Sequence, residues 1–319
     1  MKKLLTILLV VTLIVTSLFC FGACTDSSAI EIYVPDGAPA LAVASLMKEG
    51  ATLGGKPVNV TIGTGASVKQ ALVSGQADIA ILPTTACAGL FKQGKDIRLH
   101  SVTTWGVLYL IGQEAGGLQD LVGEVVYSIG RNDTPGILLR KYLDHYDIEY
   151  VESQTPVEGK VAITYVEDAK NVIPNLKAGS VKYALLGEPA VNNVLSSTSL
   201  QIIVDMQQEW KKITQNTTNG YPQAGVILTP DVYNNTKLVN ELSTKLLQND
   251  TYIIQNPDEV DALLTSHGST SAGSSVFTSQ VLTRCNITTI KASDCFNELL
   301  SYYQALSVAA PTVDMVTIP

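Results

Sequence analysis

From residue 30 onward, short β-branched runs alternate with helical stretches, and a glycine closes most of the helical pieces. "IEIYV" (30–34) precedes "ALAVASLMKEG", which reads as a helix ending at Gly50. "VNVTIGT" (58–64) leads to "ASVKQALVSG" with Gly75 as its stop, and "ADIAILP" (77–83) leads to "TTACAGLFKQG" with Gly94. A long β-type run, "IRLHSVTTWGVLYLIG", follows over 97–112. Strand, helix, glycine and strand in repetition predict a largely parallel α/β sheet, because a helix must carry the chain back between parallel strands.

The pattern then restarts. "LVGEVVYSIG" (121–130) reads as a strand, and "TPGILLRKYLDHYDI" as a helix with Thr134 as N-cap and Pro135 in its first position. "VAITYV" (161–166), "EDAKNVIPNLKAGS" interrupted by Pro174, "KYALLGEP" (182–189), "AVNNVLSS" and "LQIIVDM" complete a second unit. After the polar "KKITQNTTNG" a strand over 224–229 leads into helices, the Gly/Ser-rich loop "SHGSTSAGSSV" and a final helix, "ASDCFNELLSYYQALS". Two α/β units joined by a long strand predict two lobes. The boundaries expected are 24–110 plus 224–319 for the first and 111–223 for the second.

Hydrophobic residues make up 46% of the 319 and charged residues 16%, which suits a packed core and not a disordered chain. The net charge of -8 argues against a nucleic-acid partner, since no excess of basic groups is available to neutralise phosphates. Lys2-Lys3 is followed by an apolar run uncharged until Asp26, the layout of a secretory signal peptide over 1–23. The run is also near the length of a membrane anchor. Its ending, Phe21-Gly22-Ala23-Cys24 followed by polar "TDSS", resembles the bacterial lipobox and decides for cleavage and lipidation at Cys24, with Phe21 departing from the usual aliphatic residue. That places the protein on the extracytoplasmic face of the cell membrane. The N-x-T sequences around Asn216 look like glycosylation acceptors, a reading with little weight in a bacterial lipoprotein.

Cys87, Cys285 and Cys295 would remain, an odd number at unrelated spacings, read as buried apolar residues with a Cys285–Cys295 bridge as the alternative. The three histidines, His100, His145 and His267, show no metal-ligand spacing. No P-loop, G-x-S-x-G elbow or G-x-G-x-x-G fingerprint occurs, and "GTGASVKQ" lacks the Gly-Lys-Ser/Thr ending of a P-loop. No metal, cofactor or catalytic constellation is therefore expected.

In open α/β sheets ligands sit beyond the carboxyl ends of strands, beside helix N-termini. Those ends carry Asp36-Gly37-Ala38-Pro39, Thr64, Pro83-Thr84-Thr85 and Thr104-Trp105 in the first unit. The second offers Arg131-Asn132-Asp133-Thr134 and Glu188. Tyr221 to Gln223 and Arg284 to Asn286 are weaker candidates, with structural roles favoured. For each the plain alternative is a turn, a helix cap or core packing; for Glu188 it is an ion pair between lobes.

In order along the chain, the lipobox, "PDGAPALA", "GQADIAILPT", "TTWGVLYLIG", "LVGEVVYSIGRNDTPGILLRKYL" and "LKAGSVKYALLGEPAV" resemble the solute-binding proteins of ABC importers for nitrate, sulfonates, taurine and thiamine-type pyrimidines. The resemblance spans about 24–310 and implies a type II periplasmic-binding fold: two α/β lobes, two hinge crossovers and a small-molecule ligand between them. It also implies a membrane permease as partner and a monomeric binding protein. An enzyme of thiamine-pyrimidine or menaquinone synthesis on the same fold is the competing class, and a surface sensor or adhesin another. Asp36, Asp133 and Glu188 at the candidate loops, with Arg131 as the only strong cation near them, disfavour an anion, since a desolvated acid beside it costs several kcal/mol. The expected ligand is neutral or cationic with N–H donors, such as an aminopyrimidine stacked on Trp105, with nitrate, sulfonate or taurine as the alternative.

Overall fold

A computed structural model describes residues 29–113, 116–167, 169–215, 220–273 and 276–319. The leader, Cys24 and Asn216 lie outside the described residues. In chain order the strands are β1 (Ile30–Pro35), β2 (Thr52–Leu53), β3 (Lys56–Gly63), β4 (Ile79–Pro83), β5 (Arg98–Thr104) and β6 (Leu108–Gly112). There follow β7 (Val125–Ile129), β8 (Tyr150–Glu152), β9 (Val161–Val166), β10 (Tyr183–Gly187), β11 (Gln201–Asp205), β12 (Ala224–Leu228) and β13 (Ile287–Lys291).

They form two sheets, ordered β13-β5-β12-β4-β1-β3-β2 and β11-β6-β10-β7-β9-β8. β1 runs parallel to β3 and β4, and β7 runs parallel to β9 and β10. The strands that arrive from the other unit break the rule. β6 is antiparallel to β10 and β11, and β12 is antiparallel to β4 and β5. The sheets are thus mixed where the sequence pattern points to largely parallel ones.

The run 97–112 is two strands, not one. It breaks at Trp105-Gly106-Val107, so β5 stays in the first sheet and all of β6 joins the second. Gly106 has φ +85°, and a Cβ there would lie 2.6 Å from the Tyr221 ring, so both backbone and space demand glycine. The return crossover runs from the helix Met206–Thr214 to β12. That helix, β8, β13 and the helix Ser279–Arg284 do not stand out in the sequence pattern.

The expected helix from 40 to 49 is also divided, into a turn of helix at Ala38–Leu41 and a 3-10 turn at Ala44–Met47. The buried amide of Asn249, on the helix Thr236–Gln255, fills the break. Its Nδ2 donates to the Leu41 carbonyl at 2.8 Å and its Oδ1 accepts from the Ser45 N–H at 2.8 Å. Backbone groups freed by the break are satisfied there, as burial requires.

One apolar core runs through both units. It joins Leu99 and Trp105 to Leu110, Leu139 and Tyr142. Trp210, Tyr221 and Tyr302 bridge them, with the two tyrosine rings stacked at 5.6 Å. A second cluster lies on the other side of the first sheet's strands, around Ile32, Leu41 and Leu246. Cys285 is buried in the second cluster and Cys295 in the first, both free, so no bridge joins them.

Candidate functional site

A groove of about 580 Å³ opens between the two sheets' loops. One wall is the end of β4 and the start of the helix Thr84–Lys92, carrying Pro83 and Thr85. The other is the loop after β7 and the start of the helix Thr134–His145, carrying Asn132, Asp133 and Thr134. Both helices begin there because a residue in extended conformation, Asp133, or a proline, Pro83, hands over to the first turn. First-turn amide groups of a helix lack intrahelical partners; of these, the Thr84 N–H is taken by the Gln223 carbonyl and Pro135 has none.

The N-cap of the second helix is Asp133, one residue before the expected Thr134, and its carboxylate makes no capping bond. Thr134 begins the helix and its hydroxyl lies 2.9 Å from the Tyr302 hydroxyl, which the sequence pattern does not single out. Gln223 completes the floor. Its N–H donates to the Thr104 carbonyl and its carbonyl accepts from the Thr84 N–H, at 2.9 and 3.0 Å. Its side-chain Oε1 is buried with no partner among the described residues. Lys69, from the first unit's helix Gly65–Ser74, reaches the same groove.

The remaining candidates are placed elsewhere. Thr84 is buried and donates to the Pro222 carbonyl at 2.7 Å. Thr64 caps its helix by accepting from the Ser67 N–H at 3.1 Å. Thr104 is buried and its hydroxyl has no partner among the described residues. Arg131 is exposed and donates to Glu152 at 2.6 Å. Trp105 is 0% exposed, with its indole N–H on the Thr288 carbonyl at 2.8 Å and its carbonyl accepting from Asn286. A ring so enclosed has no face to offer a stacked ligand; it anchors the outgoing crossover to the first unit.

Glu188 forms an ion pair with Arg284, from the helix Ser279–Arg284. Glu188 is 5% exposed, and its second oxygen accepts from the Asn192 N–H at 3.1 Å. Burial raises the Glu188 carboxyl above its usual range, against the opposing pull of Arg284 and the Asn192 amide. The pair therefore joins the loop after β10 to the first unit. Nearby, Gly37 (φ +93°) approaches the Pro189 ring, 3.9 Å from the place a Cβ would occupy.

Asp36 turns inward, towards the Gly/Ser-rich loop. Its carboxylate accepts from the Ser269 hydroxyl at 2.5 Å, the Thr270 N–H at 2.9 Å, the Thr270 hydroxyl at 2.7 Å and the Gly37 N–H at 2.8 Å. Partial burial pushes its pKa up, but the bonds from Ser269, Thr270 and Gly37 outweigh this and hold it below 3.8. Ala38 and Pro39 form the first turn of the short helix behind it. A carboxylate with a lowered folded pKa contributes stability above the unfolded value, and that stability is lost as pH falls through the folded value. Asp36→Asn is accordingly expected to melt lower than wild type at pH 6, with the gap closing well below pH 3.8. Melting temperatures across that range test this; a gap that stays constant with pH would contradict the assignment.

No protein-family model and no curated sequence matches the chain. Solved structures do match. An ABC transporter from Parabacteroides distasonis aligns with TM-score 0.74 at 23% identity, covering 91% of this chain and 98% of its own. The fold is that of the ABC-transporter solute-binding proteins. The periplasmic aliphatic sulphonate binding protein SsuA from Escherichia coli shares it with TM-score 0.64 at 12% identity, over 91% and 97% of the two chains. The ligand-binding component of an ABC-type import system from Staphylococcus aureus, solved with zinc bound, aligns with TM-score 0.61 at 12% identity, over 92% and 96%. At such identities the likeness speaks for the fold. Among the described residues no three His, Cys, Asp or Glu side chains are grouped to hold a metal, and no helix is long and apolar enough to cross a membrane.

Proposed function

We propose that the chain is the extracytoplasmic solute-binding component of an ABC importer. It binds a small solute between two lobes and delivers it to a membrane permease, tethered through a lipid on Cys24, without chemistry of its own. The observation that carries this is the groove walled by Pro83 and Thr85 from one sheet and by Asn132 to Thr134 from the other. Such a site strengthens when the walls approach, so ligand binding and lobe closure are linked. We place the lobe boundaries at the crossovers, 105–107 and 215–223, instead of within β6.

Asp36 and Glu188 are occupied by protein partners, and Asp133 and Lys69 both line the groove. One acid and one base, with the unpaired Gln223 oxygen, suit a small neutral or zwitterionic nitrogenous solute. Aminopyrimidines remain within that class, held by hydrogen bonds and not by Trp105. The two helix N-termini and Lys69 favour the second reading, a sulfonate or nitrate.

A thermal-shift panel of pyrimidines, thiamine, amino acids, polyamines, taurine, alkanesulfonates and nitrate separates these. A ligand at one hundred times its Kd adds about 2.7 kcal/mol of stability. Thr85→Ala and Asn132→Ala, on opposite walls, are each expected to weaken binding of the hit roughly fivefold, the worth of about one hydrogen bond. If neither variant alters the affinity, the groove is not the site.

A further inference from the structure

The two crossovers between the units touch the same side chain. Gln207, in the first turn of the helix Met206–Thr214, is 2% exposed and packs between Gly106 of the outgoing crossover and Gly220 of the return. A Cβ on Gly106 would lie 2.8 Å from Gln207 Cγ, and one on Gly220 would lie 3.2 Å from it. Gln207 Oε1 accepts from the Leu108 N–H at 3.0 Å, on the outgoing chain, and from the Tyr221 hydroxyl at 3.1 Å, on the return. Its Nε2 donates to the Asp205 carboxylate, at the end of β11, at 3.2 Å. A backbone N–H can only donate and a carboxylate can only accept, so one orientation of the amide satisfies all three partners.

The neighbouring bonds confine the change of unit to a single residue or link on each crossover. Trp105 is held by the first unit: its N–H donates to the Asn286 carbonyl at 3.2 Å, and its own carbonyl accepts from Asn286 Nδ2 at 2.6 Å. Val107 is held by the second, its carbonyl accepting from the Glu188 N–H at 3.0 Å. Gly106 lies between them. On the return, Tyr221 bonds to Gln207, whereas the Pro222 carbonyl accepts from the Thr84 hydroxyl of the first unit at 2.7 Å.

Given the lobe closure proposed for solute capture, on which this rests, we infer that Gln207 is a positioning residue for that movement. It bonds both crossovers to the second unit, so that they turn together about an axis through Gly106 and the Tyr221–Pro222 link. Crossovers that bent separately would let the lobes twist as well as close. One buried clamp shared by both leaves hinge closure as the soft motion.

Inter-lobe distance distributions on the ligand-free protein test it, by electron-spin dipolar coupling. The labels are carried on non-natural residues in place of Lys92 and Asp144, both exposed, on the two helices that start at the groove walls. Gln207→Met, of similar length but without the acceptor, is expected to widen the distribution roughly twofold. Tyr221→Phe, which removes one donor and leaves the ring packed, should widen it less. Asn249→Ala removes an equally buried amide remote from the crossovers and should leave the width unchanged. Widths equal to wild type in Gln207→Met and Tyr221→Phe would overturn the inference, as would equal widening in Asn249→Ala, which would mark a general loosening. No solute is present, so failure here leaves the groove reading standing, and failure of the Thr85→Ala and Asn132→Ala binding test leaves the hinge result standing.

Discussion

Glu188→Ala is expected to lower stability by about 3 kcal/mol, because it leaves the half-buried Arg284 guanidinium against the loop after β10 without its counter-charge. The Asn192 N–H loses its acceptor in the same change. A second contact between the units lies beside it: Tyr109, on β6, donates its hydroxyl to the Arg284 backbone carbonyl at 2.8 Å. Removing both charges with a Glu188→Leu, Arg284→Met double variant should recover most of the loss, since well-packed apolar pairs replace buried ion pairs at little cost. Urea denaturation of Glu188→Leu, Arg284→Met and the double variant gives the coupling directly. A loss under about 1 kcal/mol in Glu188→Ala would mean that water reaches the pair and that it does not tie the units together.

A second large effect concerns acid. His100 is 5% exposed, bonded through both ring nitrogens to serine hydroxyls, and titrates near pH 4 in place of 6.5. The unfolded chain takes up a proton at His100 below pH 6.5 and the folded chain does not until about 4. Stability from this group is thus complete above pH 6.5 and declines as pH falls towards 4, by about 3 kcal/mol in all. His100→Gln, which has no proton to gain, should show a pH dependence between 7 and 4 that is smaller by about that amount. Denaturant midpoints at pH 7, 5.5 and 4 measure it. Parallel curves for the two proteins would show that His100 takes up its proton in the folded state at the same pH as in the unfolded chain.

The local punctuation of the chain translated directly into structure. Thr64 caps and Gly75 closes the helix Gly65–Ser74, and Gly94 turns the chain after the helix Thr84–Lys92, each by its own backbone preference. Errors arose where a tertiary partner intervened. The helix expected after Pro39 breaks because Asn249, from a helix two hundred residues on in sequence, satisfies the freed backbone groups. The run 97–112 divides because Gly106 takes a left-handed turn beneath Tyr221, and neither its hydropathy nor its β-propensity records that bend. The helix Met206–Thr214 was hidden by its polar face, and its buried stripe consists of Met206, Gln207, Glu209 and Trp210, only two of them apolar.

The candidate site divides in the same way. Pro83, Thr85 and Asn132 to Thr134, expected from strand ends and helix starts, line one groove, because strand–helix junctions in α/β sheets open at one edge. Which carboxylate is free there was a tertiary matter. Asp36 meets a loop 233 residues away, and Glu188 meets an arginine 96 residues away. A side chain's local sequence sets its position on a strand or helix, whereas the partner that consumes its charge comes from whatever the folded chain brings beside it. Alternation and turn residues therefore determined the α/β units and the edge at which a ligand could sit. Only the packed structure decided that Trp105 is enclosed, that Asp36 and Glu188 are spent on holding the protein together, and that Asp133 faces the groove.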